Sequence, residues 1–183
     1  MRVIAGTLKG RRLKAPSWEG LRPTSDKLRE TLFNVLGARV VGARVLDGYA
    51  GTGAIGIEAI SRGASHVTFV ESDRRAQALI AANLSACGIE TGYTMVRSTA
   101  ARAWSSLVAD SALTPFDLIL LDPPYDQPAG ETLAGVDRLI APEGWVVLEH
   151  ARRIAAPDGV GRLARARDLR SGDSALAIYT CPH

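Results

Sequence analysis

The 183-residue sequence is poor in cysteine, histidine and aromatic side chains: two Cys, three His, and Phe, Trp and Tyr together at 5%. Cys87 and Cys181 cannot frame a disulfide-stapled secreted scaffold, and no Cys/His grouping has metal-ligand spacing. No apolar run approaches the roughly 20 residues that cross a bilayer. The opening Met1-Arg2-Val3-Ile4-Ala5-Gly6 turns polar too early for a secretory leader. Gly and Pro, at 18 and 9 residues, exclude collagen-like and low-complexity chains. The expectation is a soluble, cytoplasmic, metal-free protein with no membrane association, folded as one domain over 1–183.

Charge is unevenly spread. Residues 1–44 carry 10 Lys/Arg against 3 acidic residues, residues 45–150 carry 6 against 13, and residues 151–183 carry 6 against 3. Basic ends around an acidic centre suggest a polyanion held by the ends while the centre does a different job. Arg outnumbers Lys 19 to 3, which suits bidentate phosphate contacts, although codon bias gives the same ratio.

The segment Arg2–Leu13 has two apolar pieces around Gly and basic residues and predicts a β-hairpin. A loop through Pro16 to Pro23 leads to a helix capped by Thr24 or Ser25, with Leu28, Leu32, Val35 and Leu36 at helical spacing and Gly37 as its stop. From residue 44 strands alternate with helices: strand 44–50, helix 54–61, strand 66–70, helix from the Asp73 cap to Gly88, strand 94–96, helix 100–108, strand 116–121, helix 131–140, turn 142–144 and strand 145–149. This rhythm predicts a mostly parallel sheet, seven-stranded, in a three-layer α/β sandwich. Residues 163–169 and 175–180 predict a terminal antiparallel hairpin.

Gly51-Thr52-Gly53-Ala54-Ile55-Gly56 follows a strand and opens a helix, with Glu71 20 residues beyond Gly51. These are the elements of a nucleotide-cofactor site, the acid being placed to accept both ribose hydroxyls. Asp47 chooses between cofactors. An ionised carboxylate at the strand end repels a dinucleotide's pyrophosphate and favours the sulfonium and ammonium of S-adenosylmethionine. The alternative role for Asp47 is capping the turn that follows. Asp122-Pro123-Pro124-Tyr125 ends an apolar strand at the edge where open α/β sheets bind ligands. If Asp122 and the Pro123 carbonyl each accept one N–H of an exocyclic purine amine, its lone pair turns toward a methyl donor, and Tyr125 stacks on the base. The plainer alternative is a proline-rich turn.

Arg22-Pro23-Thr24, Arg29-Glu30-Thr31-Leu32-Phe33-Asn34, Asp47 through Gly53 and Asp122 through Tyr125 resemble, in that order, the bacterial 16S ribosomal RNA guanine-N2 methyltransferase family. The opening Arg2–Gly6 with Lys9–Leu13 and the closing Gly172–Leu176 match too, so the likeness covers nearly the whole chain. Asp-Pro-Pro-Tyr alone also occurs in adenine-N6 and glutamine methyltransferases. The resemblance implies a Rossmann-like class I fold with an N-terminal extension over 1–43. It also implies methyl transfer from S-adenosylmethionine, leaving S-adenosylhomocysteine, to guanine N2 of 16S rRNA in a small ribosomal subunit or assembly intermediate, by a monomer. It assigns the cofactor to Asp47, Tyr49, Gly51, Thr52, Gly53, Glu71, Ser72, Thr99 and Ala100, and the base to Asp122, Pro123, Pro124 and Tyr125. RNA falls to Lys9, Arg11, Arg12 and Arg22. Related enzymes usually offer Asp or Asn to the adenine amine after the third strand; here Ser98-Thr99-Ala100 leaves that part to Thr99 or a backbone group.

Other residues attract weaker roles. His150 could line the cleft but reads better as structural, Cys87 as core, and Trp104 and Trp145 as packing. Trp18 could stack on a base, and Arg165, Arg167 and Arg170 could touch phosphate or simply protect an edge strand. The rivals are an adenine-N6 methyltransferase, a non-catalytic RNA-binding assembly factor and a nicotinamide-dependent dehydrogenase.

Overall fold

The computed structural model describes residues 1–19 and 24–182. Eight strands form one sheet: β1 (Arg44–Asp47), β2 (His66–Glu71), β3 (Tyr93–Arg97), β4 (Phe116–Leu121), β5 (Ile140–Ala151), β6 (Gly159–Val160), β7 (Leu163–Ser171) and β8 (Ser174–Thr180). Their order is β3-β2-β1-β4-β5-β8-β7-β6. Pairing is parallel from β3 through β5 and antiparallel from β5 to β6. Apolar side chains on both faces of each central strand explain their continuous hydrophobic runs. In β4, Leu118 and Leu120 enter one core and Ile119 and Leu121 the other.

The first core packs under α1 (Asp26–Leu36), α2 (Ala54–Ser61) and α3 (Arg74–Ala86). The second packs under α4 (Ala100–Ala109) and α5 (Ala129–Leu133). Ser25 caps α1 by accepting the Leu28 N–H at 3.2 Å. The buried stripe Leu28, Leu32, Phe33 and Leu36 is the predicted helical spacing. The Rossmann-like three-layer sandwich with a C-terminal antiparallel hairpin is therefore as expected.

Three details differ. The sheet has eight strands rather than seven because Gly159–Val160 adds a short edge strand. The helix expected over 131–140 ends at Leu133: Gly135 adopts φ +80°, one 3₁₀ turn follows, and Ile140 already pairs with Phe116. The N-terminal hairpin contracts to one bridge, Arg2 with Arg12, closed by Val3 and Leu13 N–H bonds to the Arg11 and Met1 carbonyls.

What this short hairpin lacks in pairing it gains in docking. Glu58, fully buried on α2, accepts the Ile4 and Ala5 N–H groups at 2.7 and 3.0 Å. It also pairs with Arg62 at 2.8 Å and with the fully buried Arg29 of α1 at 3.6 Å. Ser61 donates to the Ala5 carbonyl and accepts from Leu8 N–H. Gly6 lies so close that a Cβ there would stand 1.8 Å from the Ser61 carbonyl oxygen. Asn83 of α3 holds both backbone groups of Lys14 and the Thr52 carbonyl.

Glu58→Ala leaves the buried Arg29 with Asp26 as its remaining carboxylate and two N–H groups without acceptors, a change that typically costs about 3–5 kcal/mol. A thermal melt is expected to fall by roughly 10 °C, with Glu58→Gln retaining part of the loss. An unchanged melting temperature in Glu58→Ala contradicts the anchoring role.

Candidate active site

At the carboxyl ends of β1, β2, β4 and β5 the sheet opens into a cleft of about 680 Å³. This lies within the roughly 300–1,000 Å³ usual for small-molecule sites. The first wall is the turn between β1 and α2. Gly53 caps α2 with φ +77°, and Gly56 lies flat on β2, where a Cβ would meet the Phe69 ring at 2.2 Å. The third glycine of the motif thus serves helix-to-sheet contact.

Glu71, at the end of β2, closes this wall. Its Oε2 accepts the Gly51 N–H at 2.8 Å, and its Oε1 accepts those of Ser72 and Asp73 at 2.7 and 2.8 Å. A carboxylate offers about four acceptor directions. Accepting two ribose hydroxyls, as the sequence suggested, therefore requires Glu71 to release one backbone bond. Gly51, Thr52, Tyr49, Ser72, Thr99 and Ala100 all line the cleft with it. Thr99 stands at the N-cap of α4 without a side-chain capping bond.

Asp47 and Gly53 lie behind that surface and are not among the lining residues. Asp47 is buried and its Oδ2 accepts the Gly56 N–H at 2.9 Å, so its immediate structural task is joining β1 to α2. Burial pushes its carboxyl up to about 7, opposed by the Gly56 N–H and reinforced by the negative charges of Asp122 and Glu71.

The opposite wall is Asp122, Pro123, Pro124 and Tyr125, all four lining the cleft. Gln127 folds back to the Pro124 carbonyl and donates to the Tyr49 hydroxyl at 2.7 Å, tying this corner to the glycine turn. Tyr125 stands at the rim, 49% exposed. Thr24 donates its hydroxyl to Asp122 Oδ2 at 2.5 Å.

Sequence reasoning missed Thr24, Gln127, Glu149 and Ser174 as lining residues. Glu149 follows Leu148 in β5, and only its place at a strand end beside the Asp122 strand signalled it. Trp18 lines the cleft under the Arg75 guanidinium, 5.1 Å from its ring centre. Five carboxylates, Glu19, Glu71, Asp73, Asp122 and Glu149, line the cleft against one guanidinium, among the described residues. That guanidinium, Arg75, is paired with Asp73 at 2.9 Å.

Lys9, Arg11 and Arg12 are exposed on the docked N-terminal loop, away from the cleft lining. Arg22 lies outside the described residues. His150 bonds the Ile154 carbonyl and Cys87 sits in the core, as structural roles require. Trp104 is buried and donates to the Thr132 carbonyl. No group of three or more potential metal-ligating side chains occurs among the described residues, and no helix there is long and apolar enough to cross a membrane.

The chain matches the family described as Conserved hypothetical protein 95 over residues 1–180. It is similar to the Bacillus subtilis (strain 168) protein named "Putative rRNA methyltransferase YlbH", with 39% identity over 182 residues and 98% of each chain covered. Ribosomal RNA small subunit methyltransferase D of Escherichia coli (strain K12) is 37% identical over 149 residues, 81% of this chain and 71% of that protein. Among solved structures, "Putative methyltransferase yhhF from Escherichia coli" superposes with a TM-score of 0.82 at 32% identity, covering 100% of this chain and 99% of that one.

A carboxyl whose pKa rises on folding contributes stability below its unfolded value, near 4, and loses it as pH climbs toward 7. Asp47→Asn keeps an acceptor for the Gly56 N–H and removes the buried charge. The variant is expected to melt roughly 10 °C above the parent at pH 8, the gap narrowing toward pH 4. A gap independent of pH contradicts the raised pKa.

Proposed function

The chain belongs to the Conserved hypothetical protein 95 family, and from that premise we propose that it is an S-adenosylmethionine-dependent methyltransferase acting on guanine N2 of small-subunit (16S) ribosomal RNA. The observation that carries the reading is a single cleft holding the glycine turn, Glu71 and the Asp122–Tyr125 corner, with five carboxylates against one paired guanidinium among the described residues. Such a lining favours a cation and repels the pyrophosphate of a dinucleotide. The buried Asp47 adds negative character behind the loop whenever a cation draws off its proton. The names of the relatives in Bacillus subtilis and Escherichia coli support an rRNA substrate.

Gly51, Thr52 and Tyr49 would hold the methionine side of the cofactor, Glu71 and Ser72 the ribose, and the start of α4 at Thr99 and Ala100 the adenine. When bound, S-adenosylmethionine supplies an electrophilic methyl: the guanine N2 lone pair forms the new N–C bond as the C–S bond breaks, its electron pair passing to sulfur and one N2 proton leaving.

The chain's own contribution is orientation. Asp122 and the Pro123 carbonyl accept the two N2 hydrogens, which withdraws the nitrogen lone pair from conjugation with the ring and aims it across the cleft. Asp122 then takes up the departing proton. Pro123 and Pro124 fix the corner's backbone and offer carbonyls without competing N–H donors. Tyr125, at the rim, stacks on the extruded base. The exposed Lys9, Arg11 and Arg12 hold RNA phosphate outside the cleft, and Arg22, which lies beyond the described residues, joins them in binding RNA. The substrate is the rRNA of a small ribosomal subunit or its assembly intermediate, met by a cytoplasmic monomer that needs no metal.

The direct test incubates undermodified small subunits with methyl-labelled S-adenosylmethionine, then digests and maps the RNA. N2-methylguanosine is the expected product, and N6-methyladenosine would replace this reading by its adenine rival. Asp122→Ala is expected to lower turnover by at least 100-fold while the cofactor still binds in a calorimetric titration; near-normal turnover removes the assignment. Arg11→Ala with Arg12→Ala is expected to weaken RNA binding several-fold and leave cofactor affinity intact, and equal loss of both would reject the division of labour.

A further inference from the structure

We infer that Glu149 is a specificity residue of this site, accepting the N1–H of the target guanine while Asp122 accepts from its 2-amino group. The inference rests on the guanine-N2 reading above and deepens it.

Register brings the two carboxylates together. β4 and β5 run parallel with Leu121 opposite Leu148, so the next residues, Asp122 and Glu149, leave adjacent strands side by side, about 4.8 Å apart in backbone spacing. Both line the cleft, and with Thr24 they line a recess of about 10 Å³ beneath it. Glu149 is only 7% exposed. Its neighbours in the sheet, Leu148 before it and Leu176 opposite it, are apolar and buried. Burying a carboxylate at this level costs stability unless hydrogen-bond donors meet it. Ser174 fixes its direction, donating to Oε1 at 2.9 Å from the first residue of β8 while itself lining the cleft.

The Watson–Crick edge of guanine carries two adjacent donors, N1–H and the 2-amino group. Recognising both takes two acceptors side by side, which a pair of neighbouring carboxylates supplies. Adenine, 2-aminopurine and 2,6-diaminopurine all present an unprotonated N1, whose lone pair would face the lone pairs of Glu149. A site built around such a hydrogen bond rejects an analogue that lacks the hydrogen far more strongly than a shape-selective pocket does. Asp122 alone accepts from any exocyclic amine, so the choice of base falls to the second carboxylate.

2-Aminopurine isolates the claim, because it keeps the 2-amino group and lacks only the N1 hydrogen and the 6-oxo group. Small subunits are reconstituted with either guanine or 2-aminopurine at the mapped target, and single-turnover methyl transfer is measured with each. The parent enzyme is expected to prefer guanine by about 100-fold or more. In Glu149→Gln, whose amide can donate to an unprotonated N1, the guanine rate is expected to fall about 100-fold while the 2-aminopurine rate holds or rises, so the preference collapses. Ser174→Ala is expected to shift the preference in the same direction by several-fold. Cofactor affinity in both variants should match the parent's; if Glu149→Gln loses cofactor binding, the preference of Ser174→Ala decides.

Loss of rate on both bases in equal proportion, leaving the preference at the parent value, overturns the role of Glu149 and leaves the guanine-N2 reading standing. Absence of N2-methylguanosine from subunits treated with the parent enzyme takes down both.

Discussion

A carboxylate with no contact with solvent organises this molecule from the inside. Glu58 lies on the buried face of α2 and gathers two backbone N–H groups of the N-terminal segment, the Arg62 guanidinium and the buried Arg29 of α1. The partners come from the N-terminal segment, from α1 and from the end of α2 itself, so one side chain locks the extension and the first helix onto α2. Arg29 in turn donates to the Arg2 carbonyl and pairs with Asp26 at 2.6 Å. The reach of this lock extends to the chemistry. With α1 fixed, the Ser25 cap is fixed, and its neighbour Thr24 meets Asp122 across the cleft. A charged node in a core is a poor source of stability compared with apolar packing; what it supplies here is a defined position for a segment with almost no sheet pairing of its own.

The same division appears in the charges. The exposed basic side chains of the N-terminal loop sit on the outside of the docked segment, while the cleft behind it is lined by carboxylates. A polyanion drawn to the first surface would be repelled by the second. On the proposed reading this split keeps phosphates at the rim and leaves entry to a neutral base and a cationic cofactor. Arg75, the guanidinium in the lining, has its charge offset by Asp73 and its face covered by Trp18.

Much of this was legible in the sequence because the relevant signals are local. The strand 116–121, apolar except for the exposed Asp117, lies between Pro115 and Asp122-Pro123-Pro124, and it occupies those residues in the structure. The glycine turn, the Asp73 cap and the closing hairpin follow from short-range rules of the same kind. What stayed hidden depends on distant partners. Glu58, Ser61 and Asn83 read as ordinary polar positions on helices, because their partners lie more than 50 residues away in the opening segment. The expected helix over 131–140 failed at Gly135, whose left-handed backbone diverts the chain so that Ile140 can join the sheet. Asp47 was correctly placed at a strand end, but its side chain turns inward to the Gly56 N–H, an orientation that spacing alone does not reveal.

The two carboxylates at the working end are held in the same manner from opposite ends of the chain. Thr24, from the N-terminal extension, donates a hydroxyl to Asp122, and Ser174, from the C-terminal hairpin, donates one to Glu149. Neither hydroxyl belongs to the alternating strand–helix core that carries the glycine turn. The core therefore supplies the glycine-turn wall and the backbone positions of both acids, while the appended segments orient their side chains. A hydroxyl donor is suited to the task, since it orients a carboxylate without neutralising its charge, whereas a lysine or arginine in its place would cancel the acceptor strength the base requires. On the proposed reading, the N-terminal segment and the C-terminal hairpin, which extends the sheet beyond β5, turn two carboxylates of a general methyl-transfer fold toward one hydrogen-bonding edge.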